Sequence, residues 1–162
     1  MQSDFAHASH LAQLGLLEQL LNETGIATHM LEKSEQLPLH VLLAAMAKDD
    51  QGRDRYLHFS FLPVDEEQMS AIQLLQMYCK LPFPLREEAR AATADILLDI
   101  NGKLPIGHFG VDEAGELYFR YVYVMPAKRS FDREEMVELI TLYANMYDLF
   151  AEQVEAAQRA AD

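Results

Sequence analysis

One cysteine, Cys79, and no tryptophan occur in the 162 residues, and cations are scarce: 13 Lys+Arg stand against 26 Asp+Glu, a formal net charge of −13. Each scarcity excludes something. A single thiol closes no intrachain disulfide, and the four-ligand Cys or Cys/His zinc patterns are missing. The chain must therefore hold together without such staples, which suits a reducing cytoplasm. The anionic excess repels phosphate backbones and lipid headgroups, so no nucleic acid and no membrane are expected as partners. The longest uninterrupted apolar run, Val41 to Ala47, is far below the roughly 18 residues of a membrane span. The start, MQSDFAHASH, lacks the basic and then apolar pattern of a leader. A soluble, cytoplasmic protein is the expectation.

Chemical signatures are equally sparse. G-x-S-x-G, Walker-type loops and dinucleotide-type glycine loops do not occur, so the chain is expected not to be an enzyme and to need no cofactor. With 7 glycines and 6 prolines there is no Gly/Pro/Ser-rich linker, no repeat and no low-complexity stretch. One domain over 1–162 follows, of a length that buries roughly 70% of the surface of its unfolded form.

What is present is periodicity. Leu14, Leu17 and Leu21 mark a helix from about Asp4 to Thr24, closed by Gly25. Short segments at 25–31, 39–47 and 55–62 read as strands bounded by turns. Residues 64–85 are ambiguous, fitting either a helix or a short helical turn followed by a strand; the latter is preferred. A second helix follows Pro84, with Ala89, Ala92, Ile96 and Ile100 on or near one face and Gly102 at its end. The stretch LPIGHFGVDEAGELYFRYVYVMP (104–126) reads as a hairpin turning at DEAGE. Its second strand alternates Leu117, Phe119, Tyr121, Tyr123 and Met125 with Tyr118, Arg120, Val122 and Val124. Asp132 with Glu135, and Phe131 with Met136, predict a capping box and staple at the last helix. That helix carries two apolar stripes, Met136, Ile140, Tyr143, Tyr147, Phe150 and Val154 beside Leu139, Leu142, Met146 and Leu149. Together they cover about half the circumference, against roughly 100° for an ordinary surface helix. Residues 155–162 read as a fraying tail.

Candidate chemistry is thin. Asp4, His7 and His10 share a helix face at metal-ligand spacing but have no evident fourth ligand, so no metal site is expected. His40 and His58 fall on strands that pair if adjacent, and an enzyme assembled from His40, His58 or His108 with a carboxylate is a third reading. Gly107-His108-Phe109-Gly110 lacks the following helix of a phosphate loop, so its glycines read as structural. Cys79 has no activating neighbour. KDDQGRDR lacks calcium-loop spacing and reads as a solvated tip. Arg120 differs: a guanidinium within an apolar strand needs water, a carboxylate or a partner, and arginine beside tyrosines is the composition of interface anchors.

The order of elements, with LLDINGKLPIGHFGVDEAGELYFRYVYVMP followed by SFDREEMVELITLYANMYDLFAEQVE, resembles the YbjN-type family, described as bacterial sensory transduction regulators, and the type III secretion chaperone-like fold. The likeness runs over about residues 10–154 and is most specific from Asn101 to Arg120. It implies an α+β fold, an antiparallel β-sheet flanked by helices in the order α-β-β-β-(β)-α-β-β-α. It also implies a homodimer that holds or regulates a protein client without catalysis. The residues expected to touch partners are Arg120, Tyr121, Tyr123, Leu139, Leu142, Met146 and Leu149. The alternative function is a small-molecule sensor whose pocket, between sheet and helices, is lined by Phe109, Phe119, Tyr121 and Tyr123.

Overall fold

Period-two alternation makes the strands. In β3 (Arg55–Leu62) and β4 (Ile72–Lys80), Leu57, Phe59 and Phe61 and then Leu75, Met77 and Cys79 are buried while most residues between them are not, as a sheet with one wet face requires. A computed structural model describes residues 3–160. Its chain order is α1 (Asp4–Glu23), β1 (Thr28–Leu31), β2 (Val41–Met46), β3, β4, a 3₁₀ turn (Glu87–Ala89), α2 (Arg90–Asn101), β5 (His108–Val111), β6 (Leu117–Pro126) and α3 (Arg133–Arg159). The strands form one sheet ordered β1-β2-β3-β4-β6-β5, antiparallel at every pairing. This is the expected α+β architecture. In the ambiguous segment a turn, with Gln68 and Met69 donating to the Asp65 carbonyl, precedes a strand. Residues 72–80 are a strand because β3 and β6 hydrogen-bond them on both sides.

The helices pack on one side of the sheet only. Sheet residues in the buried cluster, among them Leu42, Leu57, Phe59, Leu75, Met77 and Phe119, all share one pleat phase. The first stripe of α3 meets them: Met136, Tyr143, Tyr147 and Val154 are buried, and the Tyr143 hydroxyl donates to the Phe119 carbonyl at 2.7 Å. The N-cap is as expected, Asp132 accepting from the Glu135 N–H at 2.9 Å. The box does not close, because the Glu135 carboxylate instead accepts from the Tyr123 hydroxyl and pairs with Arg129. Nor does the helix fray at residue 155. Ala157 and Gln158 are buried, and the Gln158 amide bonds Thr93 Oγ1 at 2.6 Å and the Arg86 N–H at 2.9 Å. Residues 161–162 of the expected tail lie outside the described residues. The same contact corrects the face of α2: Thr93, Leu97 and Ile100 are buried, Ile96 is half-buried and Ala92 exposed.

The hairpin of 104–126 turns as expected, with the Asp112 carboxylate accepting from the Ala114 and Glu116 N–H groups. Its glycines answer to close approach. A Cβ at Gly107, where φ is +69°, would come within 2.8 Å of the Phe119 ring and 2.9 Å of the Arg120 carbonyl. At Gly110 it would meet the Tyr118 hydroxyl at 2.5 Å. Asn101 performs the other half of the motif. β5 is an edge strand, and the Asn101 amide supplies the partner its edge lacks, accepting from the Phe109 N–H at 2.8 Å and donating to the Phe109 carbonyl at 2.9 Å. Without that amide two polar groups of a buried residue lose their bonds. Asn101→Ala is expected to cost about 1–3 kcal/mol in urea unfolding, and Asn101→Asp to recover only the share due to the N–H.

Candidate functional site

Every strand residue that points away from the helices points to an open face. The registers align one row across all six strands, His29, Leu43, His58, Tyr78, Arg120 and His108, each paired in register with the next. Beside it run Ser60, Gln76 and Val122, and then Leu62, Leu74 and Val124. Val124 is 55% exposed, Tyr56 50% and Ile72 36%. No outward strand position is Asp or Glu, although the chain has 26 of them. Carboxylates begin at the rim, where Glu116 pairs with Lys80.

Arg120 sits near the middle of this face. Its Nε donates to Gln76 Oε1 at 2.5 Å, and among the described residues no carboxylate lies within ion-pair distance of it. The rings around it are ordered by contact: Tyr78 stacks on Tyr118 with centroids 5.2 Å apart, and His58 and His108 meet Tyr78 and Tyr118 edge-on. Burial, reinforced by Lys80, holds His58 below the ordinary histidine range. Burial, reinforced by Arg120, does the same to His108. Burial, with Asp112 and Glu116 nearby, pushes Tyr78 up to about 12.

The other expected site residues divide between two surfaces. Tyr121 and Tyr123 project to the helix side and are half-buried against the core, as are Leu139 and Met146. Leu142, at 38% exposure, and Leu149, at 59%, stand on the outer shoulder of α3. Arg120 alone of the set is on the open sheet face.

The remaining candidates disperse. His40 precedes β2 and is not beside His58; its Nδ1 accepts from the Lys33 N–H at 3.0 Å and its ring lies 6.1 Å from that of His7. His58 and His108 share a row but are separated by Tyr78 and Arg120, so the three histidines do not converge. Among the described residues no group of three or more His, Cys, Asp or Glu is placed to hold a metal ion. Cys79 is buried, and desolvation pushes its thiol up to about 12, leaving it a small apolar core residue. Phe109 and Phe119 lie 4.7 Å apart and pack onto Tyr143 and Tyr147, filling the space where an aromatic pocket would be.

One feature lay beyond the sequence pattern. KDDQGRDR is the expected hairpin tip, exposed at Lys48, Asp50, Gln51, Gly52 and Asp54, but it is anchored: Arg53 bonds Asp49 at 2.6 Å and reaches Glu155 on α3 with two contacts of 2.9 and 3.0 Å. Next to it the buried Arg55 pairs with Asp148, donates to the Ala47 carbonyl at 2.8 Å and lies over the Tyr147 ring. These residues line a cleft of about 330 Å³ whose arginines are satisfied within it, which reads as a clamp of the hairpin on α3.

The model of the YbjN family, described as "putative bacterial sensory transduction regulator", matches residues 14–156. The chain belongs to the YbjN family. It is similar in fold to the crystal structure of "YbjN, a putative transcription regulator from E. coli", with a TM-score of 0.52 and 13% identity over 90% of this chain and 93% of that one. No curated protein is significantly similar in sequence. Among the described residues no helix of this YbjN-family protein is long and apolar enough to cross a membrane.

The histidines yield a pH dependence. His10, His40, His58 and His108 are all lowered from 6.5, burial being the first cause in each, so the unfolded chain takes up protons before the folded one. Stability is therefore greatest above the unfolded value and is lost as pH falls through it toward the folded values. Urea midpoints at about pH 5.5 are expected below those at about pH 7.5, and the difference shrinks in the double variant His58→Gln, His108→Gln.

Proposed function

We propose that this YbjN-family protein is a non-enzymatic, protein-binding regulator of the cytoplasm, chaperone-like in presenting a surface to a polypeptide client, and that it acts as a homodimer of single-domain chains. The observation that carries the reading is the uncovered sheet face. Its apolar and aromatic side chains are contiguous from β2 to β6, whereas helices cover the opposite face. Contiguous exposed apolar surface on a small domain marks an interaction site, and rings with a central arginine are the side chains that dominate such contacts.

The dimer uses a separate surface. Leu139, Leu142, Met146 and Leu149 follow the three-four-three spacing of a helix–helix seam, and the two outer members, Leu142 and Leu149, are exposed. A second copy placed across a two-fold axis covers both with the same residues. Tyr121, Tyr123, Leu139 and Met146 support these surfaces from beneath, while Arg120, Leu142 and Leu149 do the touching.

Light scattering of the purified protein is expected to give twice the chain mass of 18.4 kDa, and Leu142→Glu with Leu149→Glu to return it to the single mass; a monomeric parent contradicts the dimer. A photo-crosslinking residue placed at Val124 is expected to give discrete protein adducts in cells. One at Leu98, which is 75% exposed on α2, serves as the reference. Equal adducts from both positions, or none from Val124, contradict the client surface.

A further inference from the structure

Resting on that reading, we infer that the occupant of the open sheet face is an acidic, apolar polypeptide segment whose carboxylate docks on Arg120. Three observations converge. First, charge is distributed against the trend of the molecule: a chain of −13 keeps every carboxylate off its outward strand positions and places Arg120 there. Lys80, the other strong cation of the face, is already engaged by Glu116 at the rim. Second, Arg120 is half-buried and its guanidinium makes one hydrogen bond among the described residues, to the neutral Gln76. Most of its five donors have no acceptor among the described residues, and a guanidinium fork matches a carboxylate in geometry. Third, the positions around it, Leu74, Val122 and Val124 on one side and the stacked Tyr78 and Tyr118 on the other, offer apolar contact. A purely charged ligand would leave these unused.

The same facts disfavour a second copy here. Face against face, two copies would bring Arg120 and the histidines together without one carboxylate between them. The acidic remainder of the molecule likewise opposes the approach of a nucleic acid or an anionic membrane. A polypeptide carrying one or two carboxylates among apolar side chains meets both demands of the face.

The test is a random twelve-residue peptide library displayed on phage and panned against the intact protein. Enriched sequences are expected to join Asp or Glu to apolar residues. A synthetic peptide from that set should bind about tenfold or more weakly when its acid is replaced by the amide, a comparison that uses the unaltered protein. Arg120→Gln, if its circular dichroism and melting match the parent, should weaken the acidic peptide equally and be indifferent to the amide. Val124→Glu should block the acidic peptide by repulsion. Enriched peptides that are apolar without carboxylates, lose affinity in Val124→Glu and ignore Arg120→Gln would overturn the acidic occupant while leaving the protein-binding reading standing. Peptides indifferent to both variants, binding elsewhere on the molecule, would overturn both. So would a panning that enriches nothing, or binding of single-stranded DNA or anionic vesicles in place of peptide.

Discussion

The structure depends on one constraint: six strands are buried from one side only. Helices α1, α2 and α3 divide that side among them, and the cluster from Leu14 to Val154 forms between helices and sheet without a second layer. A sheet so built stays folded only if its covered face is well filled. Phe59, Phe109, Phe119, Tyr143 and Tyr147, all fully buried, accomplish this. What the helices do not cover is then a surface of outward side chains that core packing does not constrain.

Polar bonds fix the arrangement where apolar packing alone would let it slide. The Tyr143 and Tyr147 hydroxyls reach main-chain carbonyls of β6 and of Lys80, tying α3 to two adjacent strands. The Asn101 amide closes the edge of β5, and Gln158 joins α2 to α3. Arg53 and Arg55 hold the β2–β3 hairpin to the far half of α3. Each bond crosses from a helix to another element at a buried or half-buried site, where losing one partner costs more than the bond contributes. The Asn101 bridge also explains why the asparagine at the end of α2 and the glycines of the next strand occur together: the amide holds β5 from outside, while Gly107 lets it pass tightly over Phe119.

Much of this was legible in the sequence, and the misses have physical causes. Strand alternation and leucine spacing located the elements, because burial on one face imposes period two or 3.6 directly. The buried side of α2 was misjudged because Thr93, polar by type, is buried through its bond to Gln158, a contact 65 residues away that no local pattern signals. The tail after 154 was misjudged for the same reason. Arg120 stood out correctly as a cation in an apolar strand. The row it belongs to was hidden, since only the strand order β3-β4-β6-β5 brings His58, Tyr78 and His108 into line with it. The absence of carboxylates, by contrast, is readable once the strands are located, because no strand residue on either face is Asp or Glu.

The central claim is that the outward sheet face stays open in the assembled protein. Methyl NMR with a soluble paramagnetic probe addresses it most directly. At the concentration at which light scattering tests the proposed dimer, resonances of Leu43, Val122 and Val124 should broaden strongly, while those of Leu57 and Leu75 on the opposite face stay sharp. Equal protection of both sets would contradict the account, because it would mean that the protein covers this face with its own surface.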